Sequence, residues 1–434
     1  MAIPVAWRRH GLLLLLTLLY VDTFIGRQIL AVMIEPIKAE FGVGDTAMGL
    51  VTGLAFALIY ASVGLWAGRL ADRMPRTRLL AICALCWGVA TLLGGLATGF
   101  VVLVLARMLV AIFEAPVTAT SLSLIADLYP PERRALAISC FTSAPTLAAI
   151  VAMSLGAWLV GLHGWRTAFV LVGLPAMGLA LVLATLVREP QRGAHDVASR
   201  LSLPLQGLRA SLADLWSRPT YRLLIITSAV TTLGANAYGM WNATFLVRSH
   251  GLSLREAGML AGFIGGGSAA IGMLFSGWLA DRFSHHGPAW QLRLPQLGHL
   301  LGMLCMLLYL LWPPQTLIQL GPLPVPTAML WCALNGFFAV WWVGPILSYL
   351  TQLVDSSIRS TALAFQTIAV TLFGVGVGPL AVGTLSDLLA PHAGSESLRY
   401  ALLLCCVMPL VALLLTERVI RIVQPAPDRA QRMA

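Results

Sequence analysis

Charged side chains are scarce in this sequence of 434 residues. Asp, Glu, Lys and Arg make up 11% of it and hydrophobic residues 58%, whereas soluble domains are about a quarter charged and about half apolar. The core of a soluble domain cannot cover that much apolar surface. The composition therefore excludes a soluble globular protein and predicts an integral membrane protein.

The sequence also lacks the residue patterns of an enzyme or a nucleic-acid-binding protein. It contains no metal-binding cluster, no nucleotide-binding loop and no constellation of a nucleophile with its base. The glycine runs at 265–267 and 374–378 lie in apolar stretches, without the strand and the Lys-Ser/Thr of a phosphate-binding loop. The net charge is +10, but the basic residues lie singly in short loops rather than in a stripe. We therefore expect no catalytic site, metal, cofactor or nucleic-acid partner.

Two features resemble motifs of other protein classes. The apolar stretch 12–34 follows two arginines as a signal peptide would, but it is too long and has no small-residue cleavage site. We interpret it as a retained first helix. The seven cysteines all lie in apolar stretches, and their odd number excludes a fully paired set of disulfides. Cys83 and Cys86 have the spacing of a redox pair, an alternative that the hydrophobic helix around them disfavours.

The apolar residues group into windows that are long enough to cross a membrane, for which a helix needs about 20 apolar residues. Such windows fit at 12–34, 47–69, 79–97, 100–126, 136–161, 166–187, 221–246, 256–280, 294–313, 327–350, 361–385 and 399–416. The sequence thus predicts an all-α membrane protein with twelve transmembrane helices in two six-helix bundles, residues 1–187 and 221–434. The linker between them, 188–220, has leucines at near-helical spacing and is predicted to hold a short helix on the membrane surface.

Arginines mark alternate connections between these windows. They are Arg8, Arg9, Arg73, Arg76, Arg78, Arg133, Arg134, Arg282, Arg293, Arg359, Arg418 and Arg421, together with those of the linker. Cytoplasmic loops carry an excess of Lys and Arg, so both termini are expected in the cytoplasm.

The two halves repeat one another and carry a family signature. GRLADR at Gly68 to Arg73 recurs as GWLADR at Gly277 to Arg282, and RRALA before the fifth helix recurs as RSTALA before the eleventh. Parallel six-helix repeats are typical of rocking transporters. The loop after the second helix, with its Gly, Leu, Asp-Arg and basic tail, resembles the signature of the major facilitator superfamily.

Four further segments resemble the spinster-like group within that superfamily. They are RQILAVMIEPIKAEFG, DLYPPERRALA, GWRTAF and SLRYALL. The resemblance implies a monomeric transporter of a bacterial inner membrane that works by alternating access. Eukaryotic members are associated with sphingosine phosphate or lysophospholipid, whereas bacterial members mostly have no settled substrate. The resemblance thus suggests a lipid-like substrate and membrane lipids as partners but does not fix the substrate.

Four charged residues stand out within the apolar windows, where a charge costs about 2.5–3.5 kcal/mol on insertion. These four, away from the window ends, are Asp22 and Arg27 in the first helix and Arg107 and Glu114 in the fourth. If the four converge, each carboxylate can be ionised beside an arginine and protonated when substrate or proton competes. We predict a proton-coupling network in which Glu114 is central. The alternative is a permanent set of ion pairs that only fixes helix packing.

The first helix departs from the spinster pattern, which commonly reads Asn, two apolar residues and Asp-Arg. This chain has Thr23 and Gly26 at the matching positions. Asp22 lies four residues before Gly26 and projects from nearly the same helix face. We hypothesise that Asp22 replaces the missing acid.

The signature loops are predicted to form a cytoplasmic gate. Its residues are Gly68, Asp72, Arg73, Asp127, Arg134, Asp281, Arg282 and Arg359. Asp72 is expected to face the start of the eleventh helix, and Arg73 to reach Asp127, which would latch that side shut.

Polar and aromatic residues in the helices are predicted to line a substrate cavity. They are Thr23, Tyr60, Tyr238, Trp241, Asn242, Asn335, Trp342 and Gln366. Amides in lipid need partners, whereas aromatic residues in membrane helices more often pack or lie in interfacial belts.

Together these features predict a secondary transporter, proton-coupled and carrying a lipid-like amphiphile. The alternative is a carrier that exports or imports a small organic anion or a drug. A membrane-embedded enzyme or a non-transporting sensor is disfavoured, because the sequence offers neither a catalytic constellation nor a large soluble stretch.

Overall fold

The computed structural model describes residues 5–191, 208–283, 288–320, 323–354 and 359–423. Side chains are described throughout these ranges except at 5–8, 65–73, 131–136, 208–211, 281, 283, 288–289, 320, 351, 359–361 and 364.

The described residues contain ten apolar helical segments long enough to cross a membrane. Two of them, Ala137–Leu186 with 50 residues and Phe365–Val423 with 59, are long enough to cross twice. Each contains a glycine with positive φ, Gly164 at 77° and Gly394 at 56°, where the chain turns back. The result is twelve crossings in two bundles, which confirms the predicted fold class.

The first six crossings are built from nine helices, several of which join end to end within one crossing. They are α1 (Val5–Gln28), α2 (Leu30–Phe41), α3 (Asp45–Gly49), α4 (Ala55–Arg73), α5 (Arg76–Gly95), α6 (Phe100–Glu114), α7 (Val117–Leu128), α8 (Pro131–Thr142) and α9 (Ala144–Leu186). The fourth crossing is broken between α6 and α7 at Pro116, which has no backbone N–H to continue the helical hydrogen bonds.

The second half follows a short helix in the predicted linker, α10 (Leu208–Ser217). Its helices are α11 (Pro219–His250), α12 (Leu254–Leu260), α13 (Gly267–Phe283), α14 (Pro288–Leu311), α15 (Ala328–Ala339), α16 (Val343–Leu353), α17 (Arg359–Ala369), α18 (Gly378–Ala393), α19 (Ser397–Cys405) and α20 (Val407–Val423).

One element departs from an all-α chain. Strands β1 (Thr316–Leu320) and β2 (Leu323–Pro326) pair antiparallel between α14 and α15, with Ile318 opposite Val325. The sequence predicts no strand here, because two short strands of five and four residues give a weak pattern beside two long apolar windows.

The two bundles touch through π-helical turns at Leu50–Leu54 and Val370–Val377. A Cβ added at Gly53 would lie 2.6 Å from the carbonyl oxygen of Gly376, so this close approach requires glycine. The glycine run at 374–378 therefore serves helix packing. We name the two faces of the molecule after residues that lie there, the Asp45 face and the Arg76 face.

Candidate functional site

An ion pair joins the first and fourth crossings inside the first bundle. Nε of Arg27, at the end of α1, donates to Oε2 of Glu114, at the end of α6, at 2.8 Å. The Glu114 side chain is 2% exposed and that of Arg27 is 18% exposed. Solvent thus reaches the pair mainly from the arginine side.

Arg107 lies on α6, seven residues before Glu114. Its Nη1 donates to the carbonyl oxygen of Gly26 at 3.3 Å, and its buried Nε has no hydrogen-bond partner among the described residues. The ring of Phe56 lies close to both arginines, 4.7 Å from the guanidinium carbon of Arg27 and 5.4 Å from that of Arg107. Cation–π attraction to this shared ring offsets part of the cost of burying two cations together.

Asp22 lies apart from this group. Its Oδ2 accepts a hydrogen bond from Nε1 of Trp87 at 3.1 Å, and within the described chain it forms no ion pair with Arg27 or Arg107. The structure thus brings together three of the four intramembrane charges. We name Arg27, Arg107 and Glu114 the central charge group; it carries two cations and one anion.

A cavity of about 250 Å³ lies mainly within the second bundle. Three predicted cavity residues, Tyr238, Asn242 and Asn335, line it. Asn242 accepts a hydrogen bond from the Tyr309 hydroxyl at 2.6 Å, and the Tyr238 hydroxyl lies 3.3 Å from Sγ of Cys332. No Lys, Arg, Asp or Glu is among the described lining residues, so this cavity offers uncharged hydrogen-bonding groups on apolar walls.

The first bundle contributes Gln28 and Met153 to the same cavity. Gln28 directly follows Arg27 in α1. The cavity and the central charge group therefore border the same part of that helix.

His299 of α14 also lines this cavity and was not among the predicted residues. It is 3% exposed, its Nε2 shares a hydrogen bond of 3.0 Å with the Thr231 hydroxyl, and its Nδ1 has no partner in the described part of the chain. A histidine within the apolar window 294–313 was the available signal, since a polar ring at that depth needs partners.

The other five predicted cavity residues do not line this cavity. The Thr23 hydroxyl donates to the carbonyl oxygen of Tyr20, in its own helix, and Tyr60 lies against the Arg27 guanidinium. Trp241 is fully buried and donates to the carbonyl oxygen of Pro379 at 3.0 Å.

Trp342 packs against the hydrophobic cluster that includes Tyr349 and Leu350, and Gln366 is buried at 7% exposure. Trp342 thus lies in the packing between helices of the second bundle, and Gln366 lies in the protein interior.

On the Arg76 face, Asp127 accepts a hydrogen bond of 2.6 Å from Nη1 of Arg76, while Nε of Arg76 donates to Glu189 at 2.9 Å. Glu189 also accepts from the backbone N–H and the hydroxyl of Thr77. Partial burial opposes ionisation of Glu189, but the hydrogen bonds from Thr77 and Arg76 outweigh it and lower its pKa. These contacts tie two helices of the first bundle to one another and to the start of the linker.

Of the remaining predicted gate residues, only Arg282 has a described side chain. Arg282 is exposed, with its guanidinium carbon 5.7 Å from the ring centre of Trp278. The side chains of Asp72, Arg73, Arg134, Asp281 and Arg359, and the surroundings of Gly68, lie outside the described residues.

The Asp45 face holds an ionic cluster that joins the bundles and that the sequence analysis missed. We name Glu35, Lys38, Asp45, Arg248 and Asp387 the Asp45 cluster. Arg248 of α11 donates to Asp45 at 2.8 Å and to Glu35 at 2.6 Å, and Lys38 also pairs with Asp45. Asp387 of α18 accepts from the backbone N–H groups of Asp45 and Thr46 at 2.9 and 2.7 Å. Three of these residues come from the first bundle and two from the second, so the cluster fastens the bundles on this face.

Comparisons of the sequence and of the structure with known proteins point to the same family. The sequence model of the Major Facilitator Superfamily matches residues 16–374. A crystal structure of a bacterial homologue of the human lysosomal transporter Spinster, inward-facing and unoccupied, superposes with a TM-score of 0.86 at 27% identity, covering 95% of this chain and 97% of that one. An MFS-type efflux pump of Mycolicibacterium smegmatis is 31% identical over 402 residues, which are 92% of this chain and 89% of the pump.

Protein spinster homolog 1 of Xenopus tropicalis is 25% identical over 92% of this chain and 78% of its own length. The spinster resemblance is thereby confirmed. The chain belongs to the major facilitator superfamily and is a membrane transporter rather than an enzyme.

Proposed function

We propose that this chain is a proton-coupled secondary transporter that carries a lipid-like amphiphile with an anionic headgroup. The observation that supports this most is the central charge group, in which Glu114 balances only one of two buried arginines. A buried cation without its own counter-ion is costly, and an anionic substrate group would supply one.

Glu114 is the coupling residue in this proposal. While ionised, it holds Arg27 through the 2.8 Å hydrogen bond. Protonation removes the charge that fixes Arg27 and leaves two cations for the substrate headgroup. Proton binding and headgroup binding at this site then favour one another.

The tail of the amphiphile would lie in the cavity of the second bundle. Its walls are apolar and rich in glycine, and its polar groups include the amides of Asn242 and Asn335. Such a surface suits an alkyl chain with a few hydroxyl or amide groups. Gln28, which lines this cavity, directly follows Arg27 on α1, so headgroup and tail would lie close to one another.

Transport would proceed by rocking of residues 1–187 against 221–434 about the linker 188–220. The excess of arginine at alternate connections supports a cytoplasmic position for both termini, in a bacterial inner membrane. The Asp45 face then points to the periplasm, and the Asp45 cluster closes that side. We propose a monomer as the transporting unit.

A second candidate is an exporter or importer of a small organic anion or drug. The two cations of the central charge group suit a carboxylate as well as a lipid headgroup, and a relative at 31% identity is named an efflux pump. The two candidates differ in whether the substrate needs an alkyl chain.

Transport into proteoliposomes under an imposed pH gradient tests both candidates. Lysophospholipid and a small dicarboxylate are compared in wild type, in Glu114→Gln and in Glu40→Gln. The last removes a carboxylate that pairs with Arg166 away from the site. We expect gradient-driven accumulation of lysophospholipid in wild type and Glu40→Gln, and only exchange in Glu114→Gln. Accumulation of the dicarboxylate alone would favour the second candidate, and full accumulation by Glu114→Gln would exclude coupling through that residue.

A further inference from the structure

A second cavity, of about 510 Å³, lies on the outer surface of the first bundle between α1 and the two arms of α9. Several leucines on its walls are exposed, among them Leu18 at 45%, Leu155 at 50% and Leu171 at 40%. In a protein that spans a membrane, apolar side chains exposed at this depth contact lipid tails. This lateral cavity therefore opens to the bilayer.

Asp22 is the single polar side chain among the described residues that line the lateral cavity. No Lys, Arg or His lines it from α1 or α9, and the neighbouring α5 contributes the hydrogen bond from Trp87. That bond occupies Oδ2, and Oδ1 has no hydrogen-bond partner among the described residues.

The contact with Trp87 does not by itself explain a carboxylate. An asparagine or serine could accept the indole N–H without the cost of a charge in the hydrocarbon region. A carboxylate at the wall of an apolar cavity is complementary to a cation that carries apolar groups, since pairing in a low-dielectric site offsets the burial of both charges.

We propose that the lateral cavity binds an amphiphilic amine from the bilayer, with the ammonium group on Asp22 and the alkyl chain against α9. The exposed leucines give the ligand a path from the lipid tails without passage through the central cavity. The site is separate from the central charge group and goes beyond the proposed transport function.

Binding of radiolabelled tetradecylamine to the purified full-length transporter in a non-ionic detergent tests this proposal. We expect saturable binding that unlabelled tetradecylamine displaces and tetradecanol, which lacks the charge, does not. Asp22→Asn keeps an acceptor for Trp87 and should weaken binding about tenfold or more, the usual effect of losing a charged hydrogen bond.

Gly178→Val is a second variant that fills the lateral cavity. Gly178 lines it, and an added Cβ would meet no atom within 4 Å. We expect this variant to fold and to lose amine binding. The matched control is Gly64→Val, at a glycine with equally open surroundings that lines neither cavity.

Wild-type affinity in both Asp22→Asn and Gly178→Val would overturn the proposal, as would equal displacement by tetradecanol. If Asp22→Asn does not fold, Gly178→Val decides alone. Because the measurement is binding and not transport, its failure leaves the coupling role of Glu114 untouched, and failure of that role leaves this site untouched.

Discussion

Asp387 accepts hydrogen bonds from both the backbone N–H and the hydroxyl of Thr46, each at 2.7 Å, and so caps a helix of the other bundle. The first N–H groups of a helix have no acceptor within it, and a side chain from its own chain segment usually supplies one. Here the acceptor comes from α18, so the first turn of α3 is completed only while the bundles meet on the Asp45 face.

Asp387→Ala should therefore favour separation of the bundles on this face. Loss of a helix cap costs about 1 kcal/mol, or about fivefold in an equilibrium constant. Ser386 is fully buried beside Asp45, so a cysteine at this position reacts with a maleimide only when the face opens. In a background without the seven native cysteines, alkylation of Ser386→Cys should become about fivefold faster with Asp387→Ala.

Asp387→Asn keeps one acceptor oxygen for the N–H and hydroxyl of Thr46, but its NH₂ group cannot accept from the N–H of Asp45, so its alkylation rate should lie between those of the starting protein and Asp387→Ala. An unchanged rate in Asp387→Ala would show that the cap contributes nothing to closure.

A disulfide between Gly161→Cys and Arg255→Cys should lock the Asp45 face. A Cβ at Gly161 would lie 3.7 Å from Cβ of Arg255, within the range of about 3.5–4.5 Å seen in disulfides. These residues lie on α9 and α12, one in each bundle. Oxidation of the double variant should cross-link it and stop transport, and a reductant should restore transport. Full transport by the cross-linked protein would mean that this face does not open in the cycle.

Gly239→Val should narrow the cavity of the second bundle without a steric clash. Gly239 lines that cavity, and an added Cβ would meet no atom within 4 Å. We expect the KM for an amphiphile to rise about tenfold, as loss of one or two buried CH₂ contacts implies, with little change in the melting temperature. Uptake assays and thermal unfolding check this against Gly64→Val, and an unchanged KM would place the alkyl chain elsewhere.

Glu189→Gln should destabilise the protein in a pH-dependent way. The hydrogen bonds from Thr77 and Arg76 lower the pKa of Glu189, so its ionised form stabilises the folded state. This contribution is complete above the unfolded-state pKa of about 4.3 and is lost as the pH falls through the lower folded-state value. The melting temperature of wild type should exceed that of the variant at pH 7, and the difference should shrink below about pH 4.3. A difference independent of pH would point to packing instead.

The helices are predictable because a membrane-spanning helix needs about 20 apolar residues. The charged residues within them stand out because a charge in the hydrocarbon region is costly and therefore rare. The rotation of each helix about its own axis is harder to predict from the sequence. Asp22 and Arg27 are five residues apart, which places them about 140° apart around α1. Whether both face the same site therefore depends on how the neighbouring helices pack, which the sequence does not show. Arg27 reaches Glu114 because the fold brings the first and fourth crossings together.

The Asp45 cluster shows a second limit. Arg248 and Asp45 are separated by 203 residues, and nothing in either local sequence indicates that they pair. Each lies in a connection that has few Lys and Arg residues, so the sequence gives no reason to assign a partner to a single arginine there. Their pairing arises from the way the bundles close, a property of the assembled fold.

The shared cap on α3 also makes two backbone amides report on the transport cycle. While Asp387 is in place, the N–H groups of Asp45 and Thr46 are held by its carboxylate. When the bundles part, these amides have no acceptor in their own helix and exchange their hydrogens with solvent. The rate at which these two amides take up deuterium in heavy water therefore measures how often this face opens, without a probe attached to the protein.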